Sequence, residues 1–228
     1  MNNEGLLEQL SRSFEESARI EEKGLSLSSI LPEEIILDPA YAYFKNCASY
    51  SGTKDIIDFL QPRKSQKYLD FGSYLNLERY QLHHYPWHYF GLEASNEIVK
   101  RMQNYIQEQQ IVNATILLSN GLDLAFEDSY FDRITCIGVL EYYPLQDAKI
   151  LVNELCRVLK KRGKMILDIP NIKHDAFALL CRMEAFLGRE LRLKISSEDL
   201  LALIPQTIFC HAMDLSQVML RFYFEKKS

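Results

Sequence analysis

The sequence predicts an α/β fold in which a mostly parallel β-sheet carries helices on both faces. From residue 67 onward, short apolar strand-like segments alternate with amphipathic helical segments. The connections between them are short, as in βαβ units that place neighbouring strands parallel. The chain closes with two strand-like segments at 207–212 and 218–225, and such a pair predicts an antiparallel hairpin.

The individual elements follow from apolar periodicity and from Gly, Pro and capping residues. The strands before the hairpin are predicted at 67–71, 87–92, 114–119, 131–138 and 164–169. The helices are predicted at 2–22, 53–60, 76–84, 95–109, 145–159, 171–188 and 196–204. Ser95 is the predicted N-cap of the helix at 95–109, because a Ser oxygen accepts a hydrogen bond from the first helical turn.

Composition limits the function classes. The chain has 228 residues, of which 47% are hydrophobic and 25% charged, as in an ordinary globular domain with an attachment. Its net charge of −5 argues against a general nucleic-acid partner, because phosphates require a basic face. The five cysteines are far apart and form no Cys-x-x-Cys pair. This pattern predicts reduced thiols and no metal site.

Membrane and secretion signals are not found in the sequence. The first residues lack a basic segment followed by an apolar one, and no apolar run reaches membrane-spanning length. We therefore expect a cytoplasmic protein with no membrane partner.

Residues 67–76, Lys-Tyr-Leu-Asp-Phe-Gly-Ser-Tyr-Leu-Asn, have the layout of a nucleotide-binding turn. A strand is followed by a turn at Gly72 and by a helix that we predict to begin near Asn76. Glu93 lies 21 positions beyond Gly72, at the end of the second strand. In such units, backbone N–H groups face the ligand and the later carboxylate accepts from ribose hydroxyls. The alternative is a turn glycine that only supplies a positive φ, with a solvated loop carboxylate.

Two further phrases give the chain a family resemblance. Residues 124–132 read Leu-Ala-Phe-Glu-Asp-Ser-Tyr-Phe-Asp, and residues 154–163 read Glu-Leu-Cys-Arg-Val-Leu-Lys-Lys-Arg-Gly. They resemble phrases before the fourth and fifth strands of class I S-adenosylmethionine-dependent methyltransferases of type 11. The resemblance covers about residues 60–225. It implies a Rossmann-like sheet of seven strands, mostly parallel, with an antiparallel strand in a C-terminal hairpin.

The resemblance also implies a cofactor, S-adenosylmethionine, and a small-molecule acceptor. Asp70, Gly72 and the adjoining Ser73 correspond to positions that hold the amino-acid end of the cofactor. Glu93 corresponds to the acid that grips both ribose hydroxyls, and Ala94 follows it.

The remaining implied cofactor residues lie after strands three and four. Asn120 and Gly121 correspond to a pair that faces adenine, and the Asn amide oxygen can accept from the adenine amino group. Gly138 corresponds to a backbone position near the methionine part. The sequence departs from the family where two further glycines are usual, because Tyr74 and Asn76 occupy those positions.

These departures keep a second function open. A methyltransferase-like fold without methyl transfer would act as a binding or scaffold subunit, or as an enzyme of another class in a biosynthetic pathway. A nicotinamide dehydrogenase fits poorly, because the turn lacks Gly-x-Gly-x-x-Gly.

No catalytic residue is identified from the sequence. His83, His84 and His88 are candidates for a general base, because His titrates near neutral pH, but surface or core positions are the stronger expectation. Residues 141–143, Glu-Tyr-Tyr, follow strand four and either line the acceptor pocket or form an ordinary packed loop.

We divide the chain into a helical lid or attachment, residues 1–60, and the main domain, residues 61–228. The aromatic residues Tyr41, Tyr43, Phe44 and Tyr50 belong either to a lid or to an extra docked helix. Residues 171–205 are candidate acceptor-binding helices. The apolar side chains of 171–195 equally fit a buried core or the contact of a homodimer.

Overall fold

The seven predicted strands form one sheet. The computed structural model describes residues 3–25, 29–47, 53–74, 77 and 81–228. The strands are β1 (Lys67–Phe71), β2 (His88–Glu93), β3 (Ala114–Leu118), β4 (Phe131–Cys136), β5 (Leu159–Pro170), β6 (Ile208–Asp214) and β7 (Met219–Lys226). Their order is β3-β2-β1-β4-β5-β7-β6, and β7 is antiparallel to both of its neighbours. The predicted fold class is therefore confirmed.

Helices cover both faces of this sheet. They are α1 (Asn3–Glu22), α2 (Glu33–Ile36), α3 (Tyr41–Cys47), α4 (Thr53–Leu60), α5 (Asn96–Glu108), α6 (Leu145–Val158), α7 (Phe177–Phe186) and α8 (Ser197–Leu203). Short 3-10 turns occupy Leu82–His84 and Leu140–Tyr142. Within the described ranges, no helix is both long and apolar enough to cross a bilayer.

The strand alternation of β1 divides the core into two clusters. Leu69 and Phe71 face a cluster that includes α6, whereas Tyr68 faces a cluster with Ile56 of α4 and Ile98 of α5. Alternate side chains of a strand point to opposite faces, so each face of the sheet buries its own layer of helices.

Helix boundaries differ from the sequence prediction at two places. The Leu77 N–H donates to the Ser73 carbonyl oxygen at 2.9 Å, so the helix after Gly72 begins near Tyr74 and not at Asn76. Asn76 itself lies outside the described residues. The helix predicted at 171–188 is only the shorter α7, because the Asn171 side chain accepts from the Lys173 N–H and favours a turn. The predicted cap at Ser95 is confirmed, since its Oγ accepts from the Ile98 N–H at 3.2 Å.

The two phrases that carry the family resemblance contact each other. Arg157 of α6 donates to the carbonyl oxygens of Leu124 and Phe126 at 2.9 and 2.8 Å. It also pairs with Glu154 and Asp128. Glu154 in turn accepts from the Leu124 N–H at 2.8 Å. The motif residues thus fix the loop before β4 onto α6.

The segment before β1 has two different environments. Ile56 and Leu60 of α4 are buried under the sheet, while Tyr41 packs with Leu31 and Leu179 of α7. Tyr43 donates from its hydroxyl to Gln217 at 2.6 Å. These aromatic residues are therefore docked on α7 and on the turn before β7, although Tyr50 lies outside the described residues. The division of the chain at residue 60 stays a prediction.

Candidate functional site

A cavity lies beyond the carboxyl ends of β1, β2 and β4, at the edge where parallel sheets bind ligands. It encloses about 170 Å³ between the sheet and α1. Most of its walls are apolar or aromatic side chains. The residues that line it are Leu10, Ser11, Phe14, Phe71, Gly72, Tyr74, Leu92, Glu93, Ala94, Ser95, Ile98, Ile137, Gly138, Val139, Tyr142 and Tyr143.

A second, more open crevice of about 910 Å³ adjoins this cavity. The two spaces share Ser11, Leu92, Ala94 and Ser95. Asn120 lines the second crevice, on the β3 side. The predicted contacts of the ribose and of the adenine therefore lie around two neighbouring spaces.

Position 72 requires a glycine, both for its backbone conformation and for the close packing around it. Its φ is +79°, a conformation that residues with a Cβ rarely adopt. A Cβ at this position would lie 2.2 Å from Val139 Cγ2. The Gly72 N–H donates to the Leu92 carbonyl oxygen at 2.9 Å, which fixes the turn against the end of β2.

The Glu93 carboxylate faces the turn after β1. It accepts a hydrogen bond from the Tyr74 N–H at 2.5 Å, at the start of the helix that follows Gly72. Burial raises the pKa of Glu93 to about 7, although hydrogen bonds from the backbone of Tyr74 and Ala94 oppose the shift. Glu93 is therefore held beside the cavity, and its charge changes near neutral pH.

Three of the predicted cofactor residues do not line either cavity. Asp70 is fully buried, and its carboxylate accepts from the Tyr89 hydroxyl at 2.8 Å and from the Thr135 hydroxyl at 2.7 Å. Ser73 is also buried. Gly121 packs so closely on Phe71 that a Cβ would approach the ring to 2.5 Å. Roles of these three in cofactor binding stay predictions.

Tyr74 forms part of the cavity wall, and its ring is directed toward α5. Its side chain belongs to the apolar cluster with Ile98 and Met102. Its hydroxyl oxygen accepts from Arg101 at 3.2 Å. The phenol thus reduces the space beside Gly72 without separating Glu93 from the cavity.

Helix α1 covers the cavity and is attached on both sides of it. On one side, Phe14 packs edge-on against Tyr142 with 5.6 Å between the ring centres, and the Arg189 guanidinium lies 4.5 Å from the Phe14 ring centre. Ser13 also donates from its hydroxyl to the Leu187 carbonyl oxygen at 2.5 Å.

The second attachment of α1 is to the start of α5. Ser95 donates from its hydroxyl to Glu15 at 2.5 Å, and Arg19 pairs with Glu97 at 2.8 Å. Ser95 and Glu15 are 80 positions apart in the sequence, and Ser13 and Leu187 are 174 positions apart. No local sequence pattern indicates them.

The three candidate histidines lie away from this cavity. His84, just before β2, and His88, its first residue, are both exposed. They therefore lie at the opposite end of the strand from Glu93. His83 is buried, and burial lowers the pKa of its ring to about 4. Among the described lining residues, none is a histidine.

Acidic residues behind Gly138 were not predicted as a group. The Gly138 N–H donates to Asp168 at 2.8 Å, and Glu141 is buried in the turn after β4. Tyr142 donates from its hydroxyl to Glu184 at 2.9 Å. An acid inside the apolar β5 segment Met-Ile-Leu-Asp-Ile is the one sequence signal that indicates Asp168. In the described part of the chain, no three His, Cys, Asp or Glu residues are grouped as a metal ion would need.

Residues 69–167 match the family model described as a methyltransferase domain. The match runs from β1 to β5 and includes Gly72, Glu93 and both phrases of the resemblance. The match covers less than half of the chain, and it shows a similarity to that family over the segment from β1 to β5. The methyltransferase match therefore contains the strands whose ends form the cavity.

Curated relatives match over part of the chain. The chain is 32% identical over 111 residues to the uncharacterized protein MJ0638 of Methanocaldococcus jannaschii, covering 47% of this chain and 42% of that protein. It is 27% identical over 77 residues to the demethylmenaquinone methyltransferase of Geobacillus sp. strain WCH70, covering 34% of this chain and 32% of that protein. The matches therefore span less than half the length of these relatives.

Solved structures share the fold of this chain at low sequence identity. The PH0226 protein from Pyrococcus horikoshii OT3 is similar with a TM-score of 0.66 and 16% identity, over 86% of this chain and 100% of that one. The 4+2 cyclase SpnF is similar with a TM-score of 0.60 and 12% identity, over 77% and 79%. These likenesses concern the fold alone.

Proposed function

We propose that this domain transfers a methyl group from S-adenosylmethionine to a small-molecule acceptor. The observation that carries the proposal is the position of Glu93 beside Gly72, at the rim of the cavity beyond β1 and β2. A carboxylate at the end of β2 is placed to accept hydrogen bonds from ribose hydroxyls. The methyltransferase family match supports the same reaction.

The residues present fit an adenosyl cofactor in part of the available space. Glu93 would hold the ribose, Asn120 would face the adenine, and the backbone at Gly72 and Gly138 would lie along the methionine part. The enclosed cavity of about 170 Å³ is smaller than a usual ligand pocket of about 300–1,000 Å³. Because the larger crevice adjoins it under α1, we infer that α1 shifts when the cofactor enters.

When bound, the cofactor supplies an electrophilic methyl group on a sulfonium. The chain itself would contribute positioning and exclusion of water, which together account for much of the acceleration that such displacements require. Phe14 and Tyr142 close the apolar side of the cavity under α1. We assign no general base, since an acceptor that has already lost its proton needs none.

Titration calorimetry with S-adenosylmethionine and S-adenosylhomocysteine tests the proposal. We expect both to bind, and we expect Glu93→Gln to weaken binding about tenfold or more because the charged acceptor of the ribose hydroxyls is lost. The matched control is Glu108→Gln, an exposed acid at the end of α5, which should leave both affinities unchanged. Folded protein that produces no heat with either ligand would refute the proposal.

A second candidate function is favoured by Tyr74. This side chain forms part of the wall of a cavity that is small for a nucleotide ligand. A methyltransferase-like fold that binds another molecule would fit this restriction. Tyr74→Gly distinguishes the two: affinity for S-adenosylhomocysteine that appears only in this variant supports the second function. Tyr74→Phe, which keeps the ring, is the control.

A further inference from the structure

The last strand of the sheet, β6, has an open edge. It pairs with β7 on one side, and no strand among the described residues lies on its other side. Such an edge presents unpaired backbone N–H and C=O groups to any strand that approaches it. The open edge of β6 can therefore accept one further strand.

The sequence of β6 lacks residues that usually protect an edge strand. Residues 207–213, Thr-Ile-Phe-Cys-His-Ala-Met, contain no Lys, Arg, Asp, Glu or Pro. A bulge between Cys210 and Ala212 interrupts the edge, and it leaves three residues of the strand on each side. On β3, the other edge strand, the Gln103 side chain donates to the Ile116 carbonyl oxygen at 3.0 Å and covers it. An apolar edge without charges favours association with another strand.

Large apolar side chains are exposed along this edge. Phe209 is 39% exposed, Met213 is 45% exposed, and Leu215, just beyond the strand, is 48% exposed. The His211 ring lies between two phenylalanines, with 5.9 Å from its centre to the ring centres of Phe209 and of Phe59 in α4. Removal of such apolar surface from water is the main favourable contribution to protein association.

Charges of opposite sign lie at the two ends of β6. At its beginning, the Lys227 N–H donates to the Thr207 carbonyl oxygen at 2.8 Å, and the Lys227 side chain is exposed. At its end lies Asp214. Arg221 of β7 is opposite Asp214 on one side and Asp168 on the other, so one cation faces two carboxylates. The beginning of the strand is therefore basic and its end is acidic.

We propose that β6 is the interface for a second copy of this chain, with the two β6 strands antiparallel about a two-fold axis near His211. A two-fold axis relates identical surfaces, and it makes a strand antiparallel to its own copy. Residues 208–210 of one copy then lie beside 212–214 of the other. Asp214 of each copy lies beside the partner's Lys227, so the charges match at both ends. This inference does not depend on the proposed function, because no residue of β6 lines either cavity.

Sedimentation velocity of the full chain tests this interface. We expect a reversible dimer with a dissociation constant in the micromolar range, since the contact involves one short strand and its neighbours. Phe209→Lys places a charge on the edge and should raise the dissociation constant about tenfold or more. The matched control is Leu117→Lys on β3, because Leu117 is also 39% exposed on an edge strand. The control should leave the dissociation constant unchanged.

A charge exchange tests how the two copies are arranged. Asp214→Lys and Lys227→Glu each place like charges side by side, so each should raise the dissociation constant about fivefold or more. The variant with both substitutions restores opposite charges. Its dissociation constant should therefore return to within about threefold of the wild-type value.

Circular dichroism establishes that each variant is folded, and Met213→Lys replaces Phe209→Lys if the latter does not fold. A wild-type protein that stays monomeric up to about 100 µM overturns the inference. So does a dimer that Leu117→Lys dissociates and Phe209→Lys does not. A double charge variant that associates no more tightly than either single variant rejects the antiparallel arrangement, and with it the proposed interface.

Discussion

Replacing Gly72 by Ala tests whether the turn after β1 is packed as the structure has it. The substitution places a Cβ at φ +79° and 2.2 Å from Val139 Cγ2. The left-handed conformation costs about 1–2 kcal/mol for a residue with a Cβ. Overlap in a packed site costs about 1–3 kcal/mol more. We therefore expect Gly72→Ala to lower the free energy of unfolding by about 2–5 kcal/mol.

Gly24→Ala is the matched control for the backbone contribution. Gly24 has a φ of +73° and no atom within 4 Å of an added Cβ, so only the conformational cost applies. Its substitution should lower the free energy of unfolding by about 1–2 kcal/mol. The difference between the two variants isolates the overlap with Val139.

Urea unfolding followed by circular dichroism measures these free energies. Introducing Val139→Ala together with Gly72→Ala should restore part of the lost stability, because it removes the overlapping methyl group. The double-mutant cycle should show a favourable coupling of about 1–3 kcal/mol. Equal losses for Gly72→Ala and Gly24→Ala, with no coupling to Val139, would show that the turn does not approach β4 as described.

Three further predictions concern the buried acids and helix α1. Tyr89→Phe removes the hydroxyl that donates to Asp70. It should lower the free energy of unfolding, measured in urea, by about 1.5–3 kcal/mol. An unchanged free energy of unfolding would show that the hydrogen bond to Asp70 is not made. Phe14→Ala removes the ring that attaches α1 to Tyr142, so stopped-flow measurements should show faster binding and release of S-adenosylhomocysteine. Unchanged rates would show that α1 does not control entry of the ligand into the cavity. The pKa of Glu93 is raised to about 7 in the folded state, so folding favours the protonated carboxyl group. The stability that this group contributes is present below about pH 4.5 and declines as the pH rises through 7. Ribose hydroxyls need the ionised form as acceptor, so affinity for S-adenosylhomocysteine should be about tenfold higher at pH 8 than at pH 6. In Glu93→Gln this difference should disappear, and a wild-type affinity independent of pH would contradict the assignment of Glu93.

The fold was predictable from local sequence because its strands carry strong local signals. Apolar runs bounded by turn residues locate β1 to β4, and the Ser95 cap locates α5 within one residue. The apolar run at 164–169 locates only the second part of β5, because the strand begins five residues earlier, at Leu159. The start of the helix after Gly72 was not predictable from the capping preference of Asn76. That helix begins earlier because the Tyr74 N–H is satisfied by Glu93, which is distant in sequence.

The candidate site was predictable only where sheet topology fixes it. Gly72, Glu93 and Gly138 lie at or just beyond the ends of three parallel strands, whose carboxyl ends must meet at one edge of the sheet. The attachments of α1 depend on tertiary packing, and the pairing of Glu15 with Ser95 has no local signal. The proximity of Glu141 and Asp168 likewise becomes visible only when β4 and β5 lie side by side.

Methyl transfer by this chain requires that the space beneath α1, beside Glu93, holds an adenosyl cofactor. A crystal structure of the protein with S-adenosylhomocysteine tests it most directly. We expect the ribose hydroxyls on the Glu93 carboxylate, the adenine beside Asn120, and α1 displaced from its position over the cavity. A ligand bound elsewhere, with the Tyr74 ring still beside Gly72 and Glu93 bonded only to the backbone, would contradict it.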